Sequence, residues 1–125
     1  MKITIQQSFT KNDLLNIMTT GLEGGIGYWA CLNNDTPEFD DFNKLNMLLS
    51  ERVAEILWRG GSVELFDTDY NYNDADKWEL TLDKVIKGII KFMETDSKTF
   101  EIDDLDALDC DKIIQYGLFG ELVFG

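Results

Sequence analysis

The chain has 125 residues, and its 24 Asp and Glu against 11 Lys and Arg leave a formal charge of −13 with no His at all. That length corresponds to a single domain over residues 1–125, long enough to bury roughly two thirds of its unfolded surface without disulfide or metal support. The missing His excludes Ser-His-Asp and Cys-His nucleophilic sites and His-ligated zinc, while a pI near 4.1 argues against direct binding to phosphate backbones or anionic membrane.

Residues 2–9 open with period-two alternation and read as a short strand. Asn12-Asp13 offers a cap for a helix carrying Leu14, Leu15, Ile17, Met18 and Leu22, which Gly24-Gly25 would end. Gly27-Tyr28-Trp29 continues as irregular or extended chain, and Asn33 to Pro37 is a turn by composition. From Glu38 to Arg59 there is no Gly or Pro, and Phe39, Phe42, Leu45, Leu49, Val53, Ile56 and Leu57 fall near helical spacing. One long amphipathic helix is expected there, closed by Gly60-Gly61. Ser62 to Asp67 alternates as a strand, and Asp67 to Lys77 is a polar loop. Thr81 caps a helix whose inward face carries Leu82, Val85, Ile86, Ile89, Ile90 and Met93, with Lys84, Lys87 and Lys91 opposite. Residues 94–109 are acidic and turn-rich, a further helix starts near Asp109 or Asp111, and the tail from Glu121 is strand-like. The sum is an α+β fold, with three or four helices packed against a small, mostly antiparallel sheet.

Cys31 and Cys110 form no CxxC pair and sit among apolar neighbours, as small buried hydrophobes do. The N-terminal residues lack the apolar stretch of a secretory signal, and no run is long enough to span a membrane, so a cytoplasmic setting with reduced thiols is expected.

Few residues carry a chemical signature. Asp67, Asp69 and Asn71 match oxygen-ligand positions of a calcium loop, but Tyr72 stands where Gly is needed and Trp78 where the bidentate Glu belongs. Carboxylates between Glu101 and Asp111 are dense enough to hold Mg²⁺ in principle, yet so acidic a chain contains many such pairs. No enzyme activity, cofactor or metal is expected. Glu23, Gly24, Gly25, Tyr28 and Trp29 form the most unusual stretch. Its glycines would let backbone approach a ligand closely, or would simply end a helix and fold the aromatic pair into the core. Fifteen of the 24 acids lie between Glu64 and Asp111, against five bases. If the two acidic loops are neighbours, they make a negative surface able to imitate a phosphate array; otherwise the charge serves solubility.

At Glu23-Gly-Gly-Ile-Gly-Tyr-Trp29 and Gln115-Tyr-Gly-Leu-Phe-Gly-Glu-Leu-Val-Phe-Gly125 the chain resembles a family of small proteins encoded by bacteriophages and prophages. Trp78 and Leu80-Thr-Leu-Asp-Lys-Val-Ile-Lys-Gly88 match the middle of that pattern, and the likeness spans residues 13–125, most weakly over 33–59. The resemblance implies an origin in a phage genome, where small acidic proteins without catalytic signatures are enriched in inhibitors of host defence. The leading expectation is a non-enzymatic protein that inhibits a host nucleic-acid-targeting complex, of anti-CRISPR or anti-restriction type, by protein contact in the host cytoplasm. Asp67, Asp69, Asp74, Asp76, Asp103, Asp104 and Asp106 would face a basic groove on that partner. One alternative is a nucleotide binder using Gly24, Gly25, Tyr28 and Trp29 with Lys84 or Lys87; another is a structural phage protein acting as a homo-oligomer.

Overall fold

A computed structural model describes residues 9–35, 37, 39, 46–96 and 104–125. The strand expected over 2–9 lies outside them except for Phe9. The first helix, α1 (Lys11–Thr20), is capped by Thr10 rather than by Asn12-Asp13. Thr10 Oγ1 accepts from the Asp13 amide at 3.1 Å, and the Asp13 carboxylate accepts from the Thr10 amide at 2.9 Å. This reciprocal pair satisfies two amides that a helix start leaves without partners. Leu14, Ile17 and Met18 are buried. The helix then widens into a π turn over Gly21–Gly25, which re-aims the chain before β1 (Ala30–Asn33).

The long helix expected from Glu38 to Arg59 is not continuous. Asn46 adopts a left-handed backbone, φ 57°, and Leu48 is extended, so α2 covers only Leu49–Trp58. Asn tolerates that conformation better than other side-bearing residues. Helical periodicity alone did not reveal the break. Glu51 then accepts from the Leu48 amide and starts α2 afresh.

The sheet is antiparallel with strand order β1-β2-β3, where β2 is Ser62–Asp67 and β3 is Lys77–Thr81. Cys31 pairs with Phe66 and Leu32 with Leu65; Val63 pairs with Leu80 and Leu65 with Trp78. Val63, Leu65 and Leu80 are buried, and α2 packs against β2. Thr81 caps α3 (Leu82–Asp96) by accepting from the Lys84 amide at 3.2 Å. The buried line on α3 is Val85, Gly88, Ile89 and Phe92; Ile90, expected inward, is exposed.

The last helix, α4 (Ala107–Phe119), begins two residues earlier than expected, with Asp106 as the cap for Asp109. It runs antiparallel to α3, as shown by Gly117 against Lys84, Gly88 against Ile113, and the Lys112–Asp96 ion pair at 3.1 Å. The two helices touch through their glycines, a packing argued further below. Gly120, at φ 74°, stops α4 in the left-handed conformation that closes many helices. The tail beyond it, expected as a strand, joins no sheet.

Candidate functional site

The stretches Glu23–Trp29 and Gln115–Gly125 meet at one carboxyl group. The π turn brings Gly25 against α4 so closely that a Cβ there would lie 2.8 Å from the Ala107 carbonyl oxygen; at Gly21 it would lie 2.9 Å from Ile114 Cδ1. With the turn seated on α4, Tyr28 and Trp29 both reach Asp111. The Tyr28 hydroxyl donates to Asp111 Oδ2 at 2.6 Å, and Trp29 Nε1 donates to Oδ1 at 2.8 Å. Gln115 Nε2 donates to the same Oδ1 at 2.9 Å. Asp111 is 3% exposed, and its described hydrogen-bond partners are neutral donors rather than a cation. Three directed donors replace the water lost on burial.

Gln115, 1% exposed, continues the network on its other side. Its Oε1 accepts from the Val123 and Phe124 amides, each at 2.8 Å, so one side chain ties down the tail. Phe124 stacks on Trp29 with centroids 4.8 Å apart and planes 8° apart. Trp78 and Phe119 meet each other and the same pair edge-on or tilted, at 5.4 to 6.0 Å. Burial, then the hydrogen bond to Asp111, then its charge, push the Tyr28 phenol up to about 12 from 10.0.

This shift has a definite sign. A phenol whose folded value exceeds its unfolded one contributes stability fully below pH 10, and loses it as pH rises through about 12. Urea unfolding of the native chain and of Tyr28→Phe across that window is expected to converge as pH rises. Parallel curves would refute the assignment. Cys110 is likewise pushed up to about 12, by burial first and then by Asp109 and Asp106, so its thiol is inert at neutral pH.

The acidic residues flank the same stretch of backbone. Thr68 donates from its amide to the Trp29 carbonyl at 3.0 Å and from its hydroxyl to that of Gly27 at 3.3 Å. The loop containing Asp67, Asp69, Asp74 and Asp76 is therefore fastened at Gly27–Trp29. Inside it, Asp67 Oδ1 accepts from the Asp69 amide, and the Asp67 amide donates to the Asp76 carbonyl. On the other side, Ala107, next to Asp106, lies against Gly24 and Gly25. Asp69, Asp74, Asp76, Asp104 and Asp106 are exposed and Asp67 is half-buried, as Glu23 is exposed on the π turn; Asp103 lies outside the described residues. The ion pairs among the described residues join Glu55 to Lys11 and Arg59, Asp83 to Lys87, and Asp96 to Lys112, and none includes these loop acids. Glu64 is held below the usual carboxylate range by the Tyr72 hydroxyl, with Asn33 assisting.

Comparison with protein-family models, with curated proteins and with solved structures yields no match. Among the described residues no group of three or more His, Cys, Asp or Glu is placed to hold a metal ion, and no helix is long and apolar enough to cross a membrane. A groove of about 400 Å³ opens between α1 and α2 beside Leu15, Met47 and Ala54, with charged Lys11, Glu51 and Glu55; it includes none of the candidate binding residues named from the sequence.

Sequence reasoning missed Asp111 and Gln115 as organising residues. It counted Asp111 among helix-starting acids and Gln115 only as part of a motif. The available signal was their spacing of four within Cys110, Ile113 and Ile114, which puts two polar groups on an inward face.

Proposed function

We propose that this chain is a non-catalytic binding protein whose acidic face occupies the basic groove of a nucleic-acid-targeting defence complex in a bacterial host. One observation carries the reading. The acidic β2–β3 loop and the acidic start of α4 both adjoin Gly24–Trp29, and they carry Asp69, Asp74, Asp76, Asp104 and Asp106 as exposed carboxylates. Grooves that bind nucleic acid gain free energy from closely spaced negative charge, and a rigid protein that offers such charge competes for the same basic residues. Tyr28, 52% exposed yet pinned through its hydroxyl, and exposed Tyr70 supply aromatic surface of the kind that anchors protein interfaces.

A nucleotide seated at Gly24–Trp29 has less support. Gly25 is closed against the Ala107 carbonyl, and Trp29 is enclosed by Phe124, Trp78 and Phe119. Lys84 donates to the Glu79 carbonyl at 2.6 Å, and Lys87 pairs with Asp83, so neither is aimed at that stretch.

The test is capture from a bacterial host lysate with the native chain and with a variant carrying Asn at Asp67, Asp69, Asp104 and Asp106. The native chain is expected to retain a nuclease or defence complex. Neutralising these four carboxylates should weaken that capture by about 100-fold or more, as loss of several charge contacts does. Equal capture by both forms would exclude the acidic face as the interface. Because Asp106 also caps α4, a second variant leaves it in place and changes only Asp67, Asp69 and Asp104.

A further inference from the structure

The tail after α4 is attached unlike any other described segment. Among the described residues, no backbone–backbone hydrogen bond joins Glu121–Gly125 to the rest of the chain. Its polar attachments converge on one side chain. Gln115 Oε1 takes the Val123 and Phe124 amides at 2.8 Å, and Gln115 Nε2 lies 3.3 Å from the Phe124 carbonyl oxygen. Its apolar attachment is Phe124 on Trp29 and beside Trp78, while Leu122 and Val123 are exposed. The segment leaves α4 at Gly120, where φ is 74° and no atom lies within 4 Å of a Cβ position.

The same Gln115 side chain also serves the opposite direction. Its Nε2 donates to Asp111 Oδ1 at 2.9 Å and lies 3.5 Å from the Tyr28 hydroxyl, which Asp111 Oδ2 holds. When the tail is seated, two amides fix the carboxamide oxygen, and its nitrogen then points at Asp111 and Tyr28. When the tail leaves, Oε1 loses both donors at once, and the carboxamide is held only from its Nε2 side, by Asp111 and Tyr28. The tail thus completes the buried relay from Gln115 to Tyr28 at one end, and at the other its Gly125 lies beside the Tyr28 hydroxyl, which a Cβ there would meet at 3.3 Å. Segments with few backbone hydrogen bonds and exposed apolar side chains open well below the global unfolding free energy.

We propose that Glu121–Gly125 is a strap that seats and releases as a unit about Gly120, and that its seated state covers the Tyr28 hydroxyl with Gly125 and braces the Gln115–Asp111 pair behind it. The strap then sets how Tyr28 is presented beside the acidic loops. Only that last consequence rests on the binding function proposed above, and the device itself is read on the isolated chain. Two of its charged neighbours are Glu121, exposed on the strap itself, and buried Asp111.

Amide hydrogen exchange by NMR and titration of Tyr28 test it together, on the native chain and on Phe124→Ala. In the native chain the Val123 and Phe124 amides are expected to exchange at least about tenfold faster than those of Ile113 and Ile114, through local opening. Phe124→Ala should speed Val123 by a further factor of about ten or more; by uncovering the Tyr28 hydroxyl beside Gly125, it should also remove part of the burial that is the largest cause of the raised Tyr28 midpoint and bring that midpoint from about 12 toward 10, with core amides unchanged. Native strap amides that exchange only at the core rate would overturn the separate opening. A variant whose strap is released while Tyr28 still titrates near 12 would overturn the coupling. Neither result bears on whether the acidic face binds a partner, since no partner is present.

Discussion

Gly88→Ala is expected to destabilise the protein by about 3 kcal/mol or more, read by urea unfolding, although Ala is the better helix former by about 1 kcal/mol. A Cβ at Gly88 would lie 2.0 Å from the Ile113 carbonyl oxygen and 3.0 Å from the Gly117 amide nitrogen. Both neighbours are backbone, so no rotamer change relieves the overlap and α3 must move off α4. Gly117→Ala meets the reciprocal problem, with Lys84 oxygen at 2.3 Å. The antiparallel α3–α4 pair also carries buried Val85, Phe92, Ile113 and Ile114, so separating the helices loosens a large part of the core. Gly27→Ala is the matched control, because nothing lies within 4 Å of its Cβ position; it should change stability by less than about 0.5 kcal/mol. Equal effects at Gly88 and Gly27 would show that the helices are not in the described contact.

Asp111→Ala is expected to remove about 2–6 kcal/mol, because Trp29 Nε1 and Gln115 Nε2 would be left as buried donors at roughly 1–3 kcal/mol each. Tyr28 is about half exposed as a residue, so its hydroxyl can turn to water instead. Asp111→Asn separates hydrogen bonding from charge. Its carboxamide oxygen keeps the two buried donors, and its NH₂ can donate to the Tyr28 hydroxyl, so about 1 kcal/mol should be lost. Tyr28 should then titrate closer to 10, since the carboxylate's hydrogen bond and charge are two of the causes that raise it. An Asn variant as unstable as the Ala variant would mean that the negative charge, rather than the donor count, holds this centre together.

Much of the architecture was legible because it rests on periodicity. The strand at Ser62–Asp67, the Thr81 cap and the apolar rows of α1 and α3 are local patterns, and local patterns survive into the fold. Two strands were missed for physical reasons. β1 contributes Ala30, Cys31, Leu32 and Asn33, too short and too uniform to alternate, and its pairing with β2 arises from tertiary placement. β3 has only Trp78 and Leu80 as apolar residues and leads directly into a strong helix signal. The break before α2 hides in Asn46, since no Gly or Pro marks it. The rotation that exposes Ile90 and buries Phe92 is set by where Gly88 meets α4, which spacing within α3 cannot report.

The candidate site divides along the same line. Exposed acids are surface residues in any reading, and the attachment of each acidic segment to Gly24–Trp29 follows from Thr68 and Ala107 contacts that no linear pattern encodes. The Gly24–Trp29 stretch admitted two readings, and the contacts of Gly25 and Trp29 favour packing. Asp111 is the harder lesson. In a chain with 24 acids, one more Asp near a helix start carries no signal by itself; it became distinctive only when Tyr28, Trp29 and Gln115 converged on it.

The measurement that bears most directly on the proposed function is the salt dependence of binding between the native chain and the complex it captures, repeated with duplex nucleic acid as competitor. An acidic face seated in a phosphate-binding groove predicts affinity falling by about tenfold or more between 50 and 200 mM salt, and displacement by the duplex. Binding that is insensitive to salt and additive with nucleic acid would contradict the account and place the interface elsewhere on the molecule.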